Sequence, residues 1–167
     1  MSDLSVEQRI KTIDEIVDIS ATLRNEGKRV VTTNGTFDII HCAHVALLEQ
    51  ARAQGDCLVV LINSDDSVKR NKDPKRPIIS EHQRALMIAG LRSVDYALVF
   101  SQDTPLEYLE RIRPAVHVKG GSWIPGRVSE ERDLVESWGG KCVYLPLEQG
   151  ISTTDLIKVI VEKYGTN

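Results

Sequence analysis

The sequence predicts an α/β protein built on a parallel five-stranded sheet with helices on both faces. Three observations carry that expectation. Short β-branched apolar runs alternate along the 167 residues with stretches of helical periodicity. The runs are too short and too uniformly apolar for half-exposed strands, and suit strands buried on both faces, as parallel strands are. A β-branched run, a glycine-containing turn and a helical pattern follow one another around residues 30–54, the order of a crossover unit.

The elements follow in chain order. Val6, Ile10, Ile13, Ile16, Val17 and Leu23 recur at helical spacing, so residues 6–26 read as one amphipathic helix that Gly27 stops. Strands are expected at Arg29–Thr33, Cys57–Asn63, Tyr96–Phe100, Ala115–Lys119 and Lys141–Leu145. Helices are expected at His44–Gln54, Glu81–Leu91, Pro105–Ile112 and Val128–Trp138, with a last one from Thr153 to Lys163. The polar stretch Ser64–Ser80 reads as one long functional loop. Right-handed crossovers gather the C-terminal ends of the strands on one edge, where open α/β sheets bind ligands.

Bulk properties narrow the function classes. With 41% apolar residues, the chain suits one domain over residues 1–167, an N-terminal helix (1–27) followed by a core (28–167). A net charge of −3 argues against a general nucleic-acid surface. Cys42, Cys57 and Cys142 are odd in number and widely spaced, so they form no disulfide framework and fit a reduced cytoplasm. The polar start lacks a secretory signal, and no apolar run approaches the roughly 20 residues of a membrane span.

The chemistry concentrates in Thr33-Asn34-Gly35-Thr36-Phe37-Asp38-Ile39-Ile40-His41-Cys42-Ala43-His44. A helix starting near Cys42 puts His41 and His44 in its first turn, where free N–H groups and the dipole already favour an anion. Imidazoles add donors, and a bound phosphate raises their pKa. Gly35 permits a tight turn and close approach to a ligand. A pair of surface or capping histidines is the plainer explanation of His-x-x-His alone. Metal ligation by His41, Cys42 and His44 is disfavoured, because helical spacing turns Cys42 away from both rings. No Walker-type loop and no Ser/His/Asp order competes.

Three further features suit a polyphosphate. Lys69, Arg70, Lys72, Lys75 and Arg76 place five cations in eight residues of an acidic chain, and Lys72 has the reach to meet phosphates when a loop closes. A solvated surface loop is the alternative. Ser152, Thr153 and Thr154 precede the last helix, where they either cap it or hold phosphates. Lys119, Gly120 and Gly121 follow a strand, and the glycines serve either a close approach to a nucleobase or ribose or a plain turn.

The motif resembles the (T/N)GxFDxxHxGH signature of the nucleotidyltransferase family, which includes cytidylyltransferases and several adenylyltransferases. The resemblance runs through most of the chain beyond residue 28. Asn63-Ser64-Asp65-Asp66-Ser67-Val68, Lys72 with Arg76-Pro77-Ile78, Arg84, and Leu91-Arg92-Ser93-Val94-Asp95-Tyr96 resemble segments of D-glycero-D-manno-heptose 1-phosphate adenylyltransferases. So do Val118-Lys119-Gly120-Gly121 and Gly150-Ile151-Ser152-Thr153-Thr154. The resemblance implies a single Rossmann-like domain and transfer of AMP from ATP to a sugar 1-phosphate, giving ADP-heptose and pyrophosphate. It implies catalytic roles for His41, His44 and Lys72. Nucleotide contacts fall to Thr36, Phe37, His41, His44, Lys119, Gly120, Gly121, Ser152, Thr153 and Thr154. Acceptor contacts fall to Asp38, Asp65, Arg76 and Arg84. Mg²⁺ is expected to travel with the triphosphate, with no dedicated protein site. A homodimer or other homo-oligomer is implied too, with no nucleic acid or membrane partner.

Departures from the family pattern bear on the substrate. Ala43 replaces the glycine of HxGH, which costs about 1 kcal/mol if that position needs positive φ. Ser122 stands where the heptose enzymes usually carry Asp, and Ile151 where they often carry Arg or Tyr. Glycerol-3-phosphate cytidylyltransferases carry an Arg in the segment corresponding to Leu147–Ser152, and its loss here argues against that acceptor. Two other readings stand beside the adenylyltransferase: a cytidylyltransferase using CTP and another phosphorylated alcohol or sugar, and a nucleotide-binding protein that has lost turnover.

Overall fold

A computed structural model describes residues 4–121, 129–146 and 152–165. Its sheet has five parallel strands: β1 (Val30–Gly35), β2 (Cys57–Asn63), β3 (Tyr96–Phe100), β4 (Val116–Gly120) and β5 (Lys141–Leu145), in spatial order β3-β2-β1-β4-β5. Alternation explains why the strands read as continuous apolar runs. Leu58, Val60 and Ile62 of β2 enter one core, with Leu47, Leu48, Ala85 and Ile88, while Cys57, Val59 and Leu61 enter the other, with Ile16, Leu109, Ile112 and Val135. Helices α2 (Cys42–Arg52) and α4 (Glu81–Gly90) therefore cover one face. Helices α1 (Ile13–Asn25), α5 (Leu106–Ile112) and α6 (Ser129–Ser137) cover the other. The expected Rossmann-like α/β architecture is the observed one.

Two expectations are corrected. The N-terminal helix does not run through residues 6–26: a 3₁₀ turn at Glu7–Arg9 precedes a bridge from Ile10 to Ala97, and Lys11 N–H donates to the Ala97 carbonyl at 2.9 Å. The unpaired edge of β3 supplies backbone partners there, and tertiary pairing overrides the helical period. Helix α1 then starts from Thr12, which forms a capping box with Glu15. The stretch Ser64–Ser80 is not one loop either, because it contains helix α3 (Asp65–Asn71). Ser64 caps α3 by accepting from Ser67 N–H, with Asp65 and Asp66 in the first turn and Lys69 and Arg70 in the last. Those are helix-end signals whose polarity disguised them as loop.

The last helix, α7 (Thr153–Tyr164), buries none of its side chains among the described residues, and Val159, Ile160, Val161 and Tyr164 are exposed. No described helix is long and apolar enough to cross a membrane. The sheet reverses direction of growth between β1 and β4: β2 and β3 add on one side of β1, and β4 and β5 on the other. The C-terminal tips of β1 and β4 are thus the switch point at which such sheets take ligands.

Candidate active site

Beyond Gly35 the chain turns through Phe37, which adopts φ 51°. That conformation is uncommon for a bulky residue, and its persistence here points to a constrained site. Phe37 is buried and its ring lies 5.3 Å from that of His44. Gly35 makes room for it, since a Cβ at that position would stand 3.0 Å from the Phe37 ring. His41 is the N-cap residue of α2, and its carbonyl accepts from the amides of His44 (2.9 Å) and Val45 (3.3 Å).

The first turn thereby brings the two imidazoles face to face, with centroids 3.9 Å apart and planes inclined by 29°. Nδ1 of each ring is buried without a hydrogen-bond partner among the described residues. Burial pushes the His41 pKa down. Burial and then the neighbouring charge of His41 lower that of His44 from 6.5 to about 4. Both rings are neutral at pH 7, and two unprotonated imidazoles at a helix N-terminus form a site whose protonation an arriving anion would favour. Ala43 is buried inside α2 and is not among the positive-φ residues, so the methyl carries no conformational penalty.

The N-terminus of α7 reaches the same turn. The Thr153 hydroxyl donates to the Ile39 carbonyl at 3.3 Å, two residues before His41. Ser152 caps the helix by accepting from Asp155 N–H, and its own hydroxyl donates to the Asp155 carboxylate at 2.6 Å. Thr154 is exposed in the first turn. Ser122 and Ile151, the departures expected to bear on the substrate, lie outside the described residues, as does the Leu147–Gly150 segment.

A cavity of about 400 Å³ opens over the tips of β2, β1 and β4 and meets the motif at Asn34–Thr36, while His41, His44 and Thr153 are not among its lining residues. Asn34, Gly35 and Thr36 form its floor, Lys72 enters from the end of α3, and Lys119 and Gly120 enter from β4. Gly121, at φ 108°, uses glycine's freedom to leave the strand. A second cavity of about 310 Å³, lined by Arg24, Lys28, Arg113 and Trp138, sits at the opposite edge of the sheet, away from every motif residue.

Of the four residues assigned to the acceptor, Asp38 and Arg84 are buried, while Arg76 and Asp65 are partly exposed. Asp38 is 1% exposed and accepts from Arg76 Nε (3.0 Å) and the amides of Ile78 (2.8 Å) and Ile79 (3.0 Å). Arg84 is buried, and donates to the carbonyls of Ile79 (2.9 Å) and Thr36 (2.6 Å) and to Asp65 (2.7 Å). Together they tie the motif turn to α3 and α4, so in this structure they shape the site. Nor do the five cations act as a single patch. Arg70 pairs with Asp103 at 2.7 Å, Lys69 with Asp66 at 3.1 Å and Arg76 with Asp38, while Lys72 lines the cavity.

One constellation was not anticipated from the sequence. His117, wholly buried in β4, contacts Thr32 Oγ1 through Nδ1 (2.8 Å) and Glu131 Oε2 through Nε2 (3.3 Å). Glu131 in turn holds Lys119 Nζ at 2.8 Å, and Asn34 Oδ1 accepts from the same ammonium at 2.7 Å. A histidine inside the apolar strand Val116-His117-Val118 was the available signal. Glu131, within a run of charged residues on α6, offered none.

Known proteins share this arrangement of sequence and fold. The chain is 44% identical over 96% of its length to the bifunctional protein HldE of Syntrophotalea carbinolica, and 44% identical over 95% to that of Geobacter sulfurreducens. It spans about a third of the length of these relatives, 33% and 32%. The fold matches the crystal structure of a lipopolysaccharide core biosynthesis protein from Thermoplasma volcanium GSS1, with TM-score 0.62 and 24% identity, covering 75% of this chain and 100% of that one. It also matches pantoate-beta-alanine ligase from Francisella tularensis, solved with beta-gamma ATP and beta-alanine, with TM-score 0.63 and 14% identity, covering 94% and 78% of the two chains. Residues 32–159 fit the cytidylyltransferase-like family model, and the chain belongs to that family.

Proposed function

We propose that this domain is an adenylyltransferase that joins ATP to a sugar 1-phosphate, D-glycero-D-manno-heptose 1-phosphate, giving ADP-heptose and pyrophosphate. The observation that carries the reading is the stacked His41–His44 pair at the N-terminus of α2, to which Thr153 ties the N-terminus of α7. Two helix N-termini and two imidazoles converge on one turn, the arrangement a triphosphate needs. The choice of acceptor rests on the collinear motifs shared with heptose 1-phosphate adenylyltransferases and on the HldE relatives.

In this reaction an acceptor phosphate oxygen bonds to the α-phosphorus of ATP, and the bridging oxygen between the α- and β-phosphorus leaves with pyrophosphate. The oxygen is already ionised at pH 7, so no base is required. Catalysis consists of alignment and of stabilising charge on the pentacoordinate state and the leaving group. His41 and His44 donate to the α/β-phosphate region, the anion raising their pKa from the low values of the free protein. Lys72 neutralises phosphates from the end of α3. The backbone at Thr36 and Phe37 lies beneath the nucleotide, Lys119 to Gly121 border it, and Ser152 to Thr154 meet the β/γ-phosphates. Among the described residues no group of three or more His, Cys, Asp or Glu side chains is placed to hold a metal. Asp103 and Glu131, the carboxylates of the cavity, are engaged by Arg70 and Lys119. Mg²⁺ is proposed to arrive with the triphosphate, coordinated by its oxygens and by water.

The family match keeps CTP as an alternative donor. Pyrophosphate release from ATP or CTP, with a panel of sugar and alcohol phosphates, decides between them. ATP with the heptose phosphate is expected to turn over fastest. A preference for CTP, or nucleotide binding without pyrophosphate from any acceptor, defeats the reading.

A further inference from the structure

The buried contacts between β1 and β4 form a two-rung polar ladder. Thr32 is registered opposite His117, and Asn34 and Lys119 follow two residues later on the same faces of their strands. The lower rung, Thr32–His117, is wholly buried, while the upper rung, Asn34–Lys119, borders the cavity. Glu131 reaches down from α6 and joins both rungs through one carboxylate.

Donor counting shows what the ladder does. A carboxylate only accepts, so His117 carries its proton on Nε2, and Nδ1 accepts from the Thr32 hydroxyl. That tautomer is neutral, and burial holds the His117 pKa below its ordinary value. Burial pushes the Glu131 carboxyl up, but the His117 hydrogen bond and the Lys119 charge outweigh it and leave the group ionised. The Lys119 ammonium has three donors. One goes to Asn34 and one to Glu131, whose two oxygens lie 3.1 and 2.8 Å away. The same side chain lines the cavity, where its charge can meet an anion. A lysine stem unrestrained by such partners samples many rotamers, and holding it in one of them lowers the entropy lost when an anion binds.

We propose that Glu131 is a positioning residue, locked by the His117–Thr32 rung, that holds the Lys119 ammonium at the cavity floor to receive a phosphate group. This rests on the nucleotidyl-transfer reading, in which the group belongs either to the acceptor or to the nucleotide. The opposite effect is physically available: a carboxylate beside the cavity repels phosphate, and if repulsion dominates, removing its charge tightens binding.

The test compares wild type, Glu131→Gln, Lys119→Met and the double variant, measuring KM for the heptose phosphate and for ATP, and calorimetric Kd for both ligands and for inorganic phosphate. Both single variants are expected to raise KM for the same substrate by about 10-fold, near the usual worth of one charge-assisted hydrogen bond, with kcat changing less. Which substrate is affected assigns the phosphate. The double variant is expected to be no worse than Lys119→Met, because Glu131 acts through Lys119. Unchanged or tighter binding in Glu131→Gln, or losses that multiply in the double variant, overturns the proposal. If the wild type releases no pyrophosphate with any acceptor, the functional reading fails, and the Kd values of the four proteins still decide the role of Glu131. Should Glu131→Gln lose its cooperative unfolding transition, Glu131→Asp, which keeps the charge but shortens the reach, takes its place with the same expected outcome.

Discussion

His44 is the side chain on which the proposed chemistry depends most. It sits against both His41 and Phe37, with a pKa pushed to about 4 by burial and by His41. His44→Ala is expected to lower turnover by about 10²-fold, the usual worth of one donor to a transition-state anion, with a smaller change in nucleotide affinity. Equal turnover in variant and wild type removes His44 from the mechanism. The depressed pKa has a consequence for folding as well. Between pH 6.5 and about 4 the unfolded chain binds a proton at this position that the folded protein does not. Stability from His44 is thus complete above pH 6.5 and is lost as pH falls towards 4. His41 and His117, both lowered by burial, act in the same direction. Urea unfolding at several pH values should show this slope, and His44→Gln should flatten it; an unaltered slope would contradict the shift. Gly35 acts on the same ring from the other side. Gly35→Ala presses a methyl against Phe37 at 3.0 Å and should lower turnover by about 10-fold through displacement of the His44 neighbour, with nucleotide kinetics as the readout.

The motif turn is held from outside by α3 and α4. Arg84, projecting from α4, binds the Thr36 carbonyl, the Ile79 carbonyl and Asp65 at the start of α3, and all of these contacts are made by a guanidinium hidden from solvent. Replacing it with Met leaves carbonyls and a carboxylate without their donors. Arg84→Met is expected to cost about 3 kcal/mol in urea unfolding, as removal of one partner from a buried ion pair does. A cost below about 0.5 kcal/mol would mean that the turn is secured elsewhere. Helix α3 was legible at its ends, through Ser64, the two aspartates and the basic last turn, yet invisible to a search for apolar periodicity because only Ser67 and Val68 are buried. The N-terminal segment shows the reverse. Its apolar spacing was helical throughout, and the backbone pairing of Ile10 with Ala97 interrupted it.

At the level of the fold, the two cores meet at a parallel sheet whose switch point coincides with the motif turn. In the proposed reaction the nucleotide would bridge β1, β4, α2 and α7, and so stabilise the domain as a whole. At ATP concentrations about 100 times Kd, stability should rise by about 2.7 kcal/mol, a thermal shift of roughly 5–10 °C for a domain of this size. CTP under the same conditions is expected to shift the transition less. A larger shift with CTP would favour the cytidylyl donor.

The architecture was legible in local sequence, and so was the turn on which the proposed chemistry rests. Strand periodicity, helix stops and the Gly-x-Phe-Asp-x-x-His-x-x-His spacing are local properties, written in residues close along the chain. The sequence also named Lys72, within a run of five cations, and Lys119, beside two glycines at a strand end. Which acceptors answer the cations of the site follows from long-range packing. Asp38 meets Arg76 across 38 residues, Arg84 meets Thr36 across 48 and Lys119 meets Asn34 across 85. A carboxylate in a charged helix carries no local mark of the lysine it will face, since sheet order and strand register bring the two together. Glu131 was therefore unreadable in one dimension and becomes evident only when α6 is laid over the β1–β4 ladder.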